Sequence, residues 1–477
     1  MKLSPSGEKI VLIGMLIAAC AVFGMIYSVK WLLGAVLVVF VVNLVIDLWS
    51  LQVGILPVFF AIAMDRLGRI GETQFSVSKV LIAIYLIAWA TRFLLERNPE
   101  PLSAILQNPV FYLAALLLSL SLVSIVNAED LTMFFGQTLR RVNNFVLFVV
   151  LITVIDSTKV IRWIFLVAMV AYFFVGLVCM YEIATEKSIL ETVWGEKDTA
   201  LDYTLTSESF RVGGPGGDPD FLAISIIFPS FVALRLLFDP GSKLLKIGVG
   251  LVLLLLIIAL LATGSRGGLL AWTVGAGLFW LLTEMRWKFT IMAVTGVTLA
   301  AIVLVLSLVS SSGNAGRYTG ETGGTSVKYR LGWWQMAAMM IEDHPFVGVG
   351  TGNFPKAYNR YSARIPEVPR SPYWTHNSVL QTWAENGLLA VIVYVSIYAT
   401  LAGMMLSVLR RTRDGTIRRL AVVILAALAA YFCFAGTSNI LENENYWILF
   451  ALASVVYRLS FSTAEVPESL RTPLRTA

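Results

Sequence analysis

Long stretches without a single charge decide the solvent in which this chain folds. Residues 247–262 and 291–309 contain no Asp, Glu, Lys or Arg. A helix needs about 20 predominantly apolar residues to cross a bilayer, and the pattern recurs along the sequence. The whole chain of 477 residues is 57% hydrophobic and 14% charged, with a mean hydropathy of +0.78. A soluble domain is about 45–50% apolar and about 25% charged. The alternation of a membrane β-barrel is absent. The expected fold class is therefore an all-α polytopic membrane protein.

Fourteen candidate spans are readable, with 31–47 and 51–64 short enough to form one broken hairpin, so that 12–14 transmembrane helices are expected. The C-terminal ones run over 379–409, 420–436 and 446–459. The net charge of +6 resembles a nucleic-acid signal, but its position argues otherwise. Arg410, Arg411, Arg413, Arg418 and Arg419 crowd one connection between two apolar spans, the pattern of a cytoplasmic anchor under the positive-inside rule. With that loop inside, alternation puts the connections carrying Arg92, Lys159, Arg162, Lys243, Lys246, Arg286 and Lys288 inside too, and both termini are expected in the cytoplasm. The first span lacks a small-residue cleavage site and reads as a retained helix. Cys20, Cys179 and Cys433 all sit in apolar spans and suggest neither a disulfide framework nor a metal site.

The expected organisation is an N-terminal bundle over 1–183, an outer loop over 184–219, and central helices over 220–310. A large outer loop region over 311–378, C-terminal helices over 379–461 and a cytoplasmic tail over 462–477 follow. Loops of such length in a compact protein are usually functional. In the first, Arg211 precedes Gly213, Gly214, Gly216 and Gly217, then Asp218 and Asp220. Glycines admit a ligand close to the backbone, and arginine is suited to clamp a phosphate. A flexible turn entering the next helix is the competing reading. The Asp218-Pro219-Asp220 spacing is that of a metal-binding DxD, yet no His or Cys stands near it, and Asp220 serves equally as a helix-start residue. No metal is assigned.

Arg266 lies between two apolar spans, flanked by Gly264, Ser265, Gly267 and Gly268. An ionisable residue at membrane depth is a functional candidate; a side chain that snorkels to the headgroups is the alternative. Arg140 and Arg141 raise the same question less specifically. The second loop carries seven cations, Arg330 among them, against four anions, interleaved with Tyr329 and other aromatics. Rings and cations together suit a glycan that carries phosphate, although an interfacial belt accounts for part of the set. Only two histidines occur, His344 and His376. Ser378 followed by Gln381 suggests a capping box, and a helix N-terminus would keep His376 neutral and able to accept a proton. His344, beside Glu342, Asp343 and Pro345, reads as a turn residue.

The runs Arg330-Leu331-Gly332-Trp333-Trp334, Asp343 to Phe354, His376-Asn377-Ser378-Val379-Leu380-Gln381 and Glu385-Asn386-Gly387-Leu388 resemble the O-antigen ligase/polymerase superfamily. Ser265-Arg266-Gly267 and the stretch from Arg211 to Asp220 fit the same pattern. The resemblance implies a GT-C-like glycosyltransferase of the bacterial inner membrane with its active site at the periplasmic face. It implies inverting transfer of a glycan from undecaprenyl diphosphate to a sugar hydroxyl, without cofactor or metal. Lipid A–core is the first expected acceptor, in lipopolysaccharide biosynthesis; a repeat-unit polymerase is the alternative and a lipid-linked glycan flippase or transporter the more remote one. By motif, His376 is the catalytic base and Arg211, Arg266 and Arg330 the donor-binding residues. Arg140, Arg141, Asp220, Asn377 and Tyr329 are supporting candidates. Donor glycan, acceptor glycan and membrane lipids are the expected partners, and no nucleic acid is.

Overall fold

The computed structural model describes residues 43–44, 46–47, 49–64, 77–95, 99–194, 210–283, 323–365 and 374–462. The expected spans over 10–27 and 289–310, and most of 31–47, lie outside the described residues. Those residues form sixteen α-helices: α1 (Leu51–Ala63), α2 (Val77–Leu95), α3 (Pro99–Leu106), α4 (Pro109–Val123), α5 (Leu131–Val154), α6 (Thr158–Thr185), α7 (Ile189–Trp194), α8 (Pro219–Phe238), α9 (Lys243–Ala262), α10 (Arg266–Leu282), α11 (Gly323–Asp343), α12 (Phe354–Ser362), α13 (Ser378–Asn386), α14 (Leu388–Arg411), α15 (Gly415–Ala435) and α16 (Glu444–Ser462). Among the described residues, eight helical stretches are long and apolar enough to cross a membrane, and α1 and α10 are shorter apolar helices. The chain is an all-α, multi-pass membrane protein.

Several starts are written in the sequence as caps. Asp130, Asp218, Ser265 and Asp414 each accept a hydrogen bond from a first-turn backbone N–H of α5, α8, α10 and α15, meeting donors that have no partner within the helix. Proline at the first position of α4 and α8 costs no hydrogen bond there.

The centre of the bundle is α15, whose Ala421, Ala426, Ala427 and Ala430 are fully buried. Helix α10 packs on it through Gly267, Ala271 and Gly275, small residues at four-residue spacing on one face. A Cβ on Gly275 would stand 2.8 Å from the Ala426 carbonyl oxygen and 2.5 Å from Phe231. Dispersion at close approach is what holds helices together where lipid competes equally for apolar surface. Gly275→Val should therefore destabilise the protein by about 1–3 kcal/mol through overpacking. Gly277→Val meets no atom within 4 Å and should change stability by less than about 0.5 kcal/mol. Thermal unfolding of the two variants in detergent checks the contrast; equal melting temperatures would contradict it.

Helices α8 and α15 run antiparallel. Asp239, just past α8, pairs with Arg235 one turn before it at 3.2 Å and with Arg419 of α15 at 2.9 Å. Helix α8 has 20 residues, a length of about 30 Å. The Arg410–Arg419 connection thus lies at one end of the bundle, and the Arg211 segment and the start of α10 lie at the other.

The expected span 379–409 is two helices. Gly387, at φ 83°, separates α13 from α14. The turn after α11 presses into the break: Leu388 N–H donates to the Pro345 carbonyl at 2.9 Å, and a Cβ on Gly387 would collide with the Phe346 carbonyl. Unbroken hydropathy after Gly387 hides a tertiary contact from residues about 40 positions upstream, which is why the sequence reads as one span.

Candidate functional site

Helix α9 ends at Ala262, leaving terminal carbonyls without intrahelical partners. The segment before α8 takes them: Val212 N–H donates to Ala262 O at 3.2 Å, and Arg211 Nε donates to Thr263 O at 2.7 Å. A guanidinium suits the negative end of a helix. Arg211 Nη2 also lies 3.1 Å from Asp220 Oδ1, while Arg330 Nη2 is 4.0 Å from Asp220 Oδ2. The Ser265 hydroxyl bonds the same carboxylate. Asp220 therefore gathers residues from four stretches of chain.

Gly213 and Gly214, which follow Arg211, do not form an open cradle. Glu182, fully buried near the end of α6, accepts from Gly213 N–H at 3.1 Å and Gly214 N–H at 2.8 Å through one oxygen, and from Ile189 N–H at 2.9 Å through the other. The Gly213 and Gly214 amides are thus committed to the protein and fix the path that delivers Arg211, which favours the turn reading of this stretch. Asp218 caps α8, whereas Asp220 faces the arginines.

Helix α11 brings the second arginine. Arg330, Trp333, Trp334 and Ala337 recur at helical spacing along the side that meets α13. Trp333 lies against the His376 ring, centroids 5.3 Å apart, and Trp334 Nε1 donates to Thr375 O at 3.1 Å. Tyr329 packs on Trp333 at 6.2 Å, one ring removed from His376.

His376 has φ 50°, left-handed and unusual for a residue with a side chain. Its imidazole is pushed down to about 4 from the ordinary 6.5 by burial first, then by Arg330 and Arg211, with Asp220 opposing. Neutrality was expected, but from a helix N-terminus. The cap itself is also different: Asn377 accepts from Val379 and Leu380 N–H, and Ser378 Oγ donates instead to Ser438 O at 2.8 Å.

The other candidates separate. Arg266 opens α10 with an exposed side chain, next in sequence to Ser265. The two glycines after it pack against the protein: a Cβ on Gly267 would meet Thr437 and one on Gly268 would meet Ala223. Arg140 is exposed on α5. Arg141 is buried and tied to Glu442 at 3.0 Å, Glu385 at 3.5 Å, and Ser121 Oγ and Asn386 Oδ1 at 2.8 Å each. It joins α4, α5, α13 and the segment before α16. His344 follows α11 and its carbonyl accepts from Gly348 N–H, as a turn residue should.

Sequence reading missed the carboxylates that shape both loops. Glu385 is buried and accepts from Gly352 N–H at 3.0 Å and Gln381 Nε2 at 3.2 Å. Desolvation raises its carboxyl to about 7 against the opposing Arg141 charge. Glu182 had one available signal, a lone acid near the end of an apolar helix.

The O-antigen ligase family model matches residues 251–395. That region spans Ser265, Arg266, Arg330, His376 and Glu385, and stops short of Asn439. The chain is 25% identical over 380 residues to an O-antigen ligase of Salmonella typhimurium, covering 75% of this chain and 84% of that protein. The chain is thus similar to the O-antigen ligase family over 251–395, and to an O-antigen ligase over three quarters of its length.

Proposed function

We propose that the protein transfers a glycan from undecaprenyl diphosphate to a sugar hydroxyl of lipid A–core, at the periplasmic face of the inner membrane. Similarity to O-antigen ligases supports O-antigen ligation or polymerisation. One observation carries the finer reading: Arg211, Asp220, Arg330 and the imidazole of His376 converge at the end of the bundle opposite the Arg410–Arg419 connection. Two guanidiniums facing one carboxylate form an anion site, with a neutral base beside it. Under the positive-inside rule the basic end is cytoplasmic, with both termini there, and the site is periplasmic.

In this mechanism the donor diphosphate takes the place of the Asp220 carboxylate on Arg211 and Arg330, and Arg266 approaches from the rim. The acceptor hydroxyl oxygen attacks the anomeric carbon from the face opposite the diphosphate, and its proton passes to His376. The bond from that carbon to the phosphate oxygen breaks with its electron pair, leaving carrier diphosphate on the arginines, which stabilise the developing charge. The product is inverted at the anomeric carbon.

Reconstitution with a carrier-linked glycan tests this, offering lipid A–core or a second carrier-linked glycan as acceptor. A single shift of lipid A–core is expected, unchanged by excess chelator. A ladder with the second acceptor assigns a repeat-unit polymerase instead; carrier movement without bond breakage assigns a flippase. Loss of activity in chelator returns Asp218 and Asp220 as metal ligands.

A further inference from the structure

We propose that Asn439 is a positioning residue that holds His376 in its left-handed backbone conformation and so aims the imidazole. The inference rests on the reading of His376 as the base. His376 and Glu186 are the non-glycine residues with positive φ among the described residues. Glu186 sits at the C-terminal cap of α6, where that conformation commonly ends a helix. His376 precedes a helix, so an outside restraint must hold it.

The restraint is visible on both sides of the residue. Asn439 Oδ1 accepts from Asn377 N–H at 3.1 Å, and the Thr375 hydroxyl lies 3.0 Å from the same oxygen. Two donors facing one atom identify it as the amide oxygen. Flanking bonds align the strands of chain: Ser378 Oγ donates to Ser438 O at 2.8 Å and accepts from Ile440 N–H at 3.0 Å.

Asn439 acts from a fixed base. The connection between α15 and α16 that carries it is anchored three residues later, where Glu442 pairs with the buried Arg141. Thr437, two residues earlier, packs against the Gly267 backbone at the start of α10. The clamp thus references His376 to the core that also positions Ser265 and, through it, Asp220. On the other side Trp334 holds the Thr375 carbonyl and Trp333 the ring. Removing Asn439 would release one side of the turn while leaving the anion site intact.

The test uses the full-length protein in proteoliposomes with carrier-linked glycan. Asn439→Ala should lower kcat roughly 10- to 100-fold, the scale of a misplaced catalytic group, with donor KM within about threefold, since the clamp leaves Arg211 and Arg330 untouched. Asn439→Asp keeps the acceptor oxygen and should restore kcat to within several-fold. Its added negative charge should move the acid limb of the pH–rate profile upward, because it favours imidazolium. In a His376→Ala background, Asn439→Ala should cause no further loss. A wild-type kcat for Asn439→Ala, an equal loss in the His376→Ala background, or an unmoved acid limb in Asn439→Asp overturns the clamp. Should Asn439→Ala fail to fold, the Asn439→Asp acid limb decides alone. An active His376→Ala protein overturns the base reading instead, so the two failures are distinct.

Discussion

Replacing His376 with alanine is expected to lower glycan transfer by about 10²–10⁴-fold, the range for loss of a positioned general base. Carrier-lipid binding should change little, because Arg211 is anchored on the Thr263 carbonyl and Arg330 is carried by α11. The pH dependence gives a second, independent reading of the same residue. Burial and the two arginines push the imidazole down to about 4. A depressed value means that His376 is neutral, and able to take a proton, at every pH well above 4. The acid limb of kcat/KM, which reports the free enzyme, should therefore lie near 4, with activity lost as pH falls through it. Once a diphosphate lies on the arginines its negative charge offsets theirs and favours imidazolium, so the acid limb of kcat should stand at higher pH. Initial rates across pH for wild type, and at neutral pH for His376→Ala, check both. An active alanine variant, or a kcat limb at or below that of kcat/KM, would sink the assignment.

What the sequence made legible divides along the range of the interactions. The spans come from composition within a window, and 77–96, 110–126, 160–183 and 220–238 lie within a few residues of α2, α4, α6 and α8. The opposition between the basic Arg410–Arg419 connection and the His376 end also followed, because charge between spans is a local property. The candidate site was legible as residue types, since arginines and a histidine are expensive beside apolar helices. The way those residues are held was not legible. Glu182 is satisfied by amides 31 and 32 residues away, and Glu385 by one 33 residues away. Nothing local tells a buried acid with such partners from a solvated one. Whether Gly213 and Gly214 face a ligand or form a turn was undecided for the same reason, and the break at Gly387 was hidden because its cause is the Phe346 carbonyl. Arg140 and Arg141 were indistinguishable as neighbours in sequence; a rotation of about 100° along a helix leaves one exposed and the other in a buried ion cluster.

Arg211→Lys, which keeps the charge, is expected to cost about 10²–10³-fold in transfer, the scale of losing a preorganised donor at the developing charge. The reason is geometric. The Arg211 guanidinium spans two partners at once, with Nε on the Thr263 carbonyl at 2.7 Å and Nη2 on the Asp220 carboxylate at 3.1 Å. One nitrogen is thereby fixed against the end of α9 while the other faces the anion site. A lysine carries one nitrogen on a flexible stem and cannot serve both positions. It would either stay on the Thr263 carbonyl, withdrawing charge from the site, or reach Asp220 without the anchor that aims it. Arg266 supplies the contrast. Its side chain is exposed at the first turn of α10, where a point charge suffices, so Arg266→Lys should lose activity by a smaller factor in the same assay. Donor binding separates the contributions: loss of aim in Arg211→Lys should fall mainly on kcat, and Arg211→Ala should weaken carrier-diphosphate binding as well. Transfer by Arg211→Lys within threefold of wild type would mean that charge alone is required at that position, and the bidentate role would have to be abandoned.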